Sequence, residues 1–210
     1  MPIGPVVGPL VIVGVLVDEN GLEKLKEAKV RDSKLLSLKQ IKELQKKINK
    51  IAKKIKVVLV QPNEIDNAVS GEDGLNLNWL EAKKSAEIIN ELNPDKVILD
   101  CPSPNIEKYK GYLRKLLKNK DIEIIAEHKA DKNFPIVSAS SIIAKFNREE
   151  EVKKIEKMIG QSIGTGYISN PICQKFLKEN WEKHPEIFRK SWVSWKNHKI
   201  EKEQKKLMDF

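Results

Sequence analysis

The sequence is poor in aromatic residues and in cysteine, and it has no long uninterrupted hydrophobic run. Aromatic residues make up 6% of the 210 positions, and the two cysteines, Cys101 and Cys173, are far apart and match no metal-site spacing. Such cysteines are typical of a reducing cytosol, so we expect free thiols and a cytoplasmic protein. The apolar stretch 6–17 is interrupted by glycine and proline and has no basic residue before it, so we expect neither a membrane-spanning helix nor a signal peptide.

Basic charge is what the sequence has in excess. Lysine and arginine number 39 against 30 aspartates and glutamates, which gives a formal net charge of +9. A basic surface favours a polyanionic partner, with nucleic acid ahead of an acidic membrane. Because excess lysine also serves solubility and thermostability, charge alone leaves nucleic-acid binding undecided.

Strand and helix patterns alternate from about residue 56 onward, which predicts an α/β fold with a partly parallel sheet covered on both faces. We expect one globule, with a catalytic domain over 1–165 and a helical extension over 166–210. The predicted strands are 6–17, 56–61, 96–100 and 122–127. The predicted helices are 38–54, 79–92, 105–119, a long helix that Gly160 ends, one that starts at Pro171, and the tail from about 185; segment 62–78 is predicted to be a polar loop.

Two aspartates follow predicted strands. Asp100 ends the strand KVILD, and Asp131 lies shortly after the strand IEIIAE. Sites in open α/β sheets form beyond the carboxyl ends of the strands, so neighbouring strands would bring these carboxylates to one edge. Close carboxylates repel unless a cation lies between them, and oxygen ligands favour magnesium or manganese over zinc. The alternative is that each aspartate only caps the following helix or turn.

Several residues could contact a nucleic acid. Lys145 and Arg148 are three positions apart and therefore share a helix face, which could hold phosphates or could be an ordinary solvated surface. The Gly-x-Gly turn of GTGYISNP could present Tyr167 for stacking, although a loop tyrosine is more often surface packing. The stretch RDSK, which ends at Lys34, has the composition of a phosphate-binding turn and proves nothing alone.

Taken together and in this order, these segments resemble the ribonuclease HII family, particularly its archaeal branch. The segments that carry the resemblance are GPVVGPLVIVGV, KVRDSKLLS, KVILDCPSPN, EHKADKNFPIVSASSIIAKFNRE, GTGYISNP and RKSWVSWK, and they span nearly the whole chain. The lysine-alanine-aspartate block and the glycine-tyrosine loop are the most specific of them.

The resemblance implies a ribonuclease H-like mixed sheet flanked by helices, with a helical C-terminal extension. It implies a monomeric endonuclease, with no membrane partner, that cuts the RNA strand of RNA–DNA hybrids and duplex DNA at embedded ribonucleotides. The products would be a 5′-phosphate and a 3′-hydroxyl. Two divalent ions, Mg²⁺ or Mn²⁺, would be held by four acidic residues, of which Asp100 and Asp131 match the third and fourth.

The same resemblance assigns substrate-binding positions. Tyr167 matches the tyrosine that stacks beside the ribonucleotide junction. Gly4 matches the last glycine of a glycine-arginine-glycine element that reads the 2′-hydroxyl. Lys145, Arg148 and, less securely, Lys34 match positions expected near the substrate phosphates.

The sequence departs from the family pattern at its start. The family places an Asp-Glu-Ala-Gly-Arg-Gly element, with its first two acidic ligands, directly before GPVVGPL, and here that segment follows Met1–Ile3. We therefore expect the first central strand, two of the four carboxylates and the arginine to be missing, and the chain as printed to be inactive or nearly so. The alternative function is a noncatalytic hybrid-binding remnant that has lost half of its metal site.

Overall fold

The computed structural model describes residues 4–28, 30, 36–71 and 75–208, with side chains described as far as 204. The described residues form two compact units. One, which we call the strand unit, lies within Val11–Leu59 and Leu77–Asn147. The other, which we call the extension unit, lies within Met1–Leu10, Val60–Asn76 and Arg148–Phe210.

The first sheet of the fold joins two strands that are distant in sequence. Strand β1 (Leu10–Leu16) pairs with β2 (Lys54–Val60). Helices α1 (Glu19–Glu27) and α2 (Leu38–Ile51) lie between them in the chain, and the predicted Ser37–Gln40 capping box starts α2. Strand β1 is shorter than the predicted strand 6–17, since it covers only Leu10–Leu16.

The second sheet is parallel and carries the candidate site. Strand β3 (Lys96–Asp100) pairs with β4 (Glu123–Glu127) in a register that places Asp100 opposite Glu127. Helix α4 (Leu77–Leu92) precedes β3, and α5 (Ile106–Leu116) makes the crossover to β4. Buried aliphatic residues of these strands and helices form one core with Tyr109. Within the part of the chain that the structure describes, no strand joins this sheet to the β1–β2 sheet.

After β4 the chain forms α6 (Ala130–Asn133) and the long helix α7 (Pro135–Ile159), which Gly160 ends in a left-handed conformation. A core of the strand unit packs α7 against α1 and α2. Its buried members are Leu25, Val30, Ile41, Ile48, Ala139, Ile142 and Ile143.

The extension unit is mainly helical. It contains α3 (Pro62–Ser70), α8 (Pro171–Asn180) and α9 (Val193–Met208), with a short 3₁₀ helix at Pro185–Ile187. Helix α3 corrects the prediction of a polar loop over 62–78: Pro62 occupies its first turn and Gly71 ends it at φ 77°. Residues before β1 also belong here, since Val7 forms an antiparallel bridge with Phe188.

The α/β class with a helical C-terminal extension is therefore confirmed. Among the described helices, none combines the length and apolar character that crossing a membrane requires. The predicted division at 165/166 stays a prediction.

Candidate functional site

The two predicted metal ligands follow the carboxyl ends of adjacent parallel strands. Asp100 is the last residue of β3, and Asp131 lies in the first turn of α6, four positions after β4 ends. The parallel pairing of β3 with β4 confirms the sheet geometry on which the metal prediction depended. A site at this edge is where open α/β sheets bind ligands.

Asp100 holds the turn that carries Asp131. One carboxylate oxygen, Oδ1, accepts hydrogen bonds from the backbone N–H groups of Lys129 at 2.7 Å and Ala130 at 3.4 Å. Lys129 is left-handed, with φ 58°, a conformation that costs a non-glycine residue roughly 1–3 kcal/mol. The bonds from Asp100 oppose that cost, so this carboxylate fixes the backbone immediately before Asp131.

Asp131 has an unusual environment for a carboxylate. Asp131 is 8% exposed, and its Oδ1 is buried without a hydrogen-bond partner among the described residues. A buried polar atom left in that state costs about 1–3 kcal/mol, and a cation would offset the cost. The donors at this edge are carboxylate oxygens, which suit Mg²⁺ or Mn²⁺. Asp100 and Asp131 thus fit a divalent ion in donor type.

The described residues contain no group of three or more histidine, cysteine, aspartate or glutamate side chains arranged to hold a metal. Asp100 and Asp131 therefore stay predicted ligands.

The turn between β4 and α6 makes further contacts that the sequence did not indicate. His128 Nδ1 lies 3.1 Å from the carbonyl oxygen of Cys101, the residue that follows Asp100. Asn133 Nδ2 donates to Glu127 Oε2 at 3.2 Å, which ties α6 to the end of β4. These two bonds join the segment after β4 to the segment after β3 and to the end of β4 itself, next to the two aspartates.

In the extension unit, a glycine-containing loop presents Tyr167. Gly164 and Gly166 adopt left-handed φ values of 65° and 73°, which favour glycine. The carbonyl of Tyr167 accepts from the N–H of Asn170, whose side chain caps α8. Tyr167 is 41% exposed, so part of the residue is accessible to a ligand.

The segment that starts at Gly4 packs beside this loop. The N–H of Val6 donates to the carbonyl of Gly166 at 2.8 Å, and the N–H of Arg189 donates to Val6 at 2.9 Å. A Cβ placed on Gly4 would lie 3.5 Å from Arg189 Nη1. The extension unit therefore brings Gly4 and Tyr167, two residues predicted to bind substrate, onto neighbouring segments.

The predicted phosphate contacts have different environments. Lys145 is half-buried in α7. Arg148 also lies in α7, and it donates from Nη2 to the carbonyl of Thr165 at 2.6 Å. Its guanidinium carbon lies 5.1 Å from the centroid of the Tyr167 ring. Lys34 falls outside the described residues.

Asp66 is a structural residue of the extension unit that the sequence did not reveal. Its carboxylate accepts from the backbone N–H groups of Lys190 and Ser191, each at 2.9 Å, and from Ser191 Oγ at 2.6 Å. It thereby anchors the RKSWVSWK segment to α3. No local pattern could have indicated a partner more than a hundred residues away.

Comparisons with known proteins agree with this architecture. The family model described as Ribonuclease HII matches residues 3–196. The chain is similar to a Ribonuclease HII of Methanococcus maripaludis, with 39% identity over 99% of this chain and 87% of that protein.

Among solved structures, the chain resembles ribonuclease H2 from Pyrococcus horikoshii OT3, with a TM-score of 0.83 and 34% identity, over 96% of this chain and 94% of that one. A Bst-RNase HIII in complex with Mn²⁺ shares the fold, with a TM-score of 0.75 and 18% identity, over 95% of this chain and 67% of that one. The fold, the family model and the level of identity together establish that this chain belongs to the ribonuclease HII family.

Proposed function

We propose that this chain binds RNA–DNA hybrids and duplex DNA with embedded ribonucleotides, and that its catalytic form hydrolyses the RNA strand to a 5′-phosphate and a 3′-hydroxyl. The observation that carries the proposal is the buried Oδ1 of Asp131, which has no hydrogen-bond partner in the part of the chain that the structure describes and lies beside a turn that Asp100 holds. In a member of the ribonuclease HII family, this pair is the natural position for divalent-metal ligands.

Asp100 and Asp131 would hold the Mg²⁺ or Mn²⁺ ions. Ions bound there would activate a water molecule for in-line attack and stabilise the leaving 3′-oxygen. Asp131 would contribute a buried carboxylate oxygen that lacks a protein partner among the described residues. Asp100 fixes the preceding backbone through Oδ1 and keeps its second oxygen for a ligand.

Gly4 and Tyr167 would recognise the ribonucleotide. Glycine allows the backbone to approach a 2′-hydroxyl closely, and the exposed Tyr167 ring offers a stacking surface to the adjacent sugar or base. Lys145, and Lys34 from outside the described residues, would neutralise backbone phosphates. The net charge of +9 is consistent with such a polyanionic substrate. We propose that the protein works as a cytoplasmic monomer in DNA replication and repair.

A noncatalytic hybrid-binding function is the second candidate. The observation that favours it is the pair of carboxylates, since the described residues show no third acidic, histidine or cysteine ligand beside them. Such a protein would keep Gly4 and Tyr167 but would not cleave.

Cleavage of a duplex with one embedded ribonucleotide, assayed with Mg²⁺ and with Mn²⁺, separates the two candidates. We expect metal-dependent cleavage by a protein that carries the Asp-Glu-Ala-Gly-Arg-Gly element before GPVVGPL, and comparison with the 210-residue chain measures what that element contributes. In that extended protein, Asp100→Asn and Asp131→Asn should abolish most cleavage. Asp121→Asn, which removes a carboxylate just before β4 starts, is the matched control and should cut normally.

Robust cleavage by the unextended chain would show that other residues hold the metals. An extended protein that binds hybrid but never cuts it would favour the noncatalytic function. Hybrid binding itself should weaken steeply with salt, because phosphate contacts release counterions. Binding that is insensitive between low and physiological salt would overturn the assignment of the basic residues.

A further inference from the structure

Arg148 is engaged within the protein. Its Nη2 donates to the carbonyl of Thr165 at 2.6 Å, and its Nη1 lies 3.3 Å from Glu149 Oε1. The guanidinium carbon is 5.1 Å from the centroid of the Tyr167 ring, within the range of a cation–π contact. A single side chain therefore holds both the backbone and the aromatic ring of one loop.

The exposure of Arg148 agrees with an internal role. Its side chain is only 16% exposed, and Nε is buried without a hydrogen-bond partner in the described structure. A side chain that binds backbone phosphates needs accessible donors, and here the two terminal nitrogens have protein partners. Arg148 is thus poorly placed to bind a phosphate by itself.

The loop is shaped to accept this arginine. A Cβ placed on Gly166 would lie 2.9 Å from Arg148 Nη2, closer than real Cβ atoms approach. The left-handed φ of 73° at the same glycine also disfavours any other residue there. Gly166 therefore both allows the turn and leaves the space that the guanidinium occupies. The carbonyl of Gly166 is in turn fixed by the N–H of Val6.

We propose that Arg148 is a positioning residue that orients Tyr167 for stacking at the ribonucleotide, and that it does not bind a substrate phosphate. This inference rests on the proposed function, because it assumes that Tyr167 contacts the nucleic acid. The planar guanidinium supports the ring while its Nη2 fixes the loop backbone two residues earlier. A lysine would keep the positive charge but could not do both.

Binding of duplex DNA, measured without divalent metal so that no cleavage occurs, tests the role of Arg148. The variants are Arg148→Ala, Arg148→Lys, Tyr167→Ala and the Arg148→Ala/Tyr167→Ala double variant, with Lys154→Ala as the control. Lys154 also lies in α7, and its side chain is 71% exposed. Each variant is titrated against a duplex with one ribonucleotide and against the same duplex in DNA alone, at several salt concentrations.

We expect Tyr167→Ala to lose about 5- to 150-fold in affinity for the ribonucleotide duplex, the range for one aromatic stacking contact. Arg148→Ala and Arg148→Lys should each lose most of that factor, and the double variant should lose little more. In these variants the preference for the ribonucleotide duplex over the all-DNA duplex should fall, while the dependence of affinity on salt concentration stays at the wild-type value. Lys154→Ala should keep the preference.

A phosphate contact would give the opposite pattern. Arg148→Lys would then retain most of the affinity, both duplexes would weaken equally, and the salt slope of Arg148→Ala would drop by about 0.9. The losses from Arg148→Ala and Tyr167→Ala would also multiply in the double variant. That result would overturn the proposal.

Hydrogen exchange of the free protein supplies a test that needs no nucleic acid. Arg148→Ala should speed amide exchange over residues 164–168 and leave β3 and β4 protected as in the wild type. Unchanged exchange in that loop would overturn the proposal whatever the binding data. A wild-type chain that binds no hybrid would overturn the proposed function instead, while the exchange data would still decide whether Arg148 holds the loop.

Discussion

Replacing Asp131 with asparagine should make the metal-free protein more stable. Asparagine has nearly the same shape as aspartate but no charge, so the substitution removes a buried carboxylate whose Oδ1 has no hydrogen-bond partner among the described residues. Most core substitutions destabilise a protein, so a stabilising result would be specific to a site built for a ligand.

Two opposing terms set the size of this effect. Asparagine leaves a polar atom at the same buried position, so the ~1–3 kcal/mol cost of an unpartnered polar atom remains, and the substitution removes only the additional cost of burying a charge. The negative charge in the first turn of α6 has a favourable interaction with the helix N-terminus, worth about 0.3–1 kcal/mol at most positions. That helix has only four residues, so the burial term is larger. We expect Asp131→Asn to raise the free energy of unfolding by no more than about 1 kcal/mol without metal.

Urea denaturation in EDTA measures the stability without metal, and the same titration in MnCl₂ measures how much Mn²⁺ stabilises each protein. At a Mn²⁺ concentration about 100 times its dissociation constant, the wild type should gain about 2.7 kcal/mol, and Asp131→Asn should gain almost nothing. Asp121→Asn is the control and should respond to Mn²⁺ as the wild type does. A destabilised Asp131→Asn in EDTA, or a variant that keeps the Mn²⁺ response, would refute the reasoning.

The remaining predictions concern stability and reactivity. A Cβ on Gly14 would overlap Ile88 Cγ2, so Gly14→Ala should lose about 1–3 kcal/mol in urea denaturation. Gly111, in helix α5, has open space where a Cβ would lie, with no atom within 4 Å, so Gly111→Ala should gain about 0.5–1 kcal/mol, and equal effects would contradict the packing argument. Burial raises the pKa of the Cys173 thiol to about 11, so iodoacetamide at about pH 8 should modify it only in denaturant, as mass spectrometry would detect. Burial lowers the pKa of His198 below its ordinary 6.5, so the unfolded state binds more protons and the free energy of unfolding should fall as the pH drops below that value. His198→Gln should reduce this pH dependence in unfolding measurements between about pH 8 and 5. An unchanged pH profile would contradict the prediction.

Local signals predict the elements around the candidate metal site. The apolar run that ends on Asp100 gave strand β3 at its observed bounds. The capping box at Ser37 and the left-handed Gly160 likewise mark helix ends where the sequence predicts them. The sequence does not predict helix α3, because its interior is mostly polar and the glycines Gly71 and Gly74 favour a loop over 62–78.

The contacts that define the site could not be predicted because they are non-local. The pattern around Asp131 indicates a helix start, but the burial of its Oδ1 is a property of the folded packing and has no local sequence signal. Spacing places Arg148 on a helix face and suggests a phosphate contact, whereas its contacts with Thr165, 17 residues further on, and with Tyr167 require the fold of that loop. The bonds from Asp100 to the Lys129–Ala130 turn likewise depend on the pairing of β3 with β4.

The central claim is that Asp100 and Asp131 form a divalent-metal site, and anomalous scattering from crystals of the full chain soaked in MnCl₂ tests it most directly. The prediction is a manganese peak about 2 Å from a carboxylate oxygen of each residue, with the two carboxylates on the order of 4–8 Å apart. A structure that placed these carboxylates on opposite faces of the sheet, or that held manganese only at other residues, would contradict the claim.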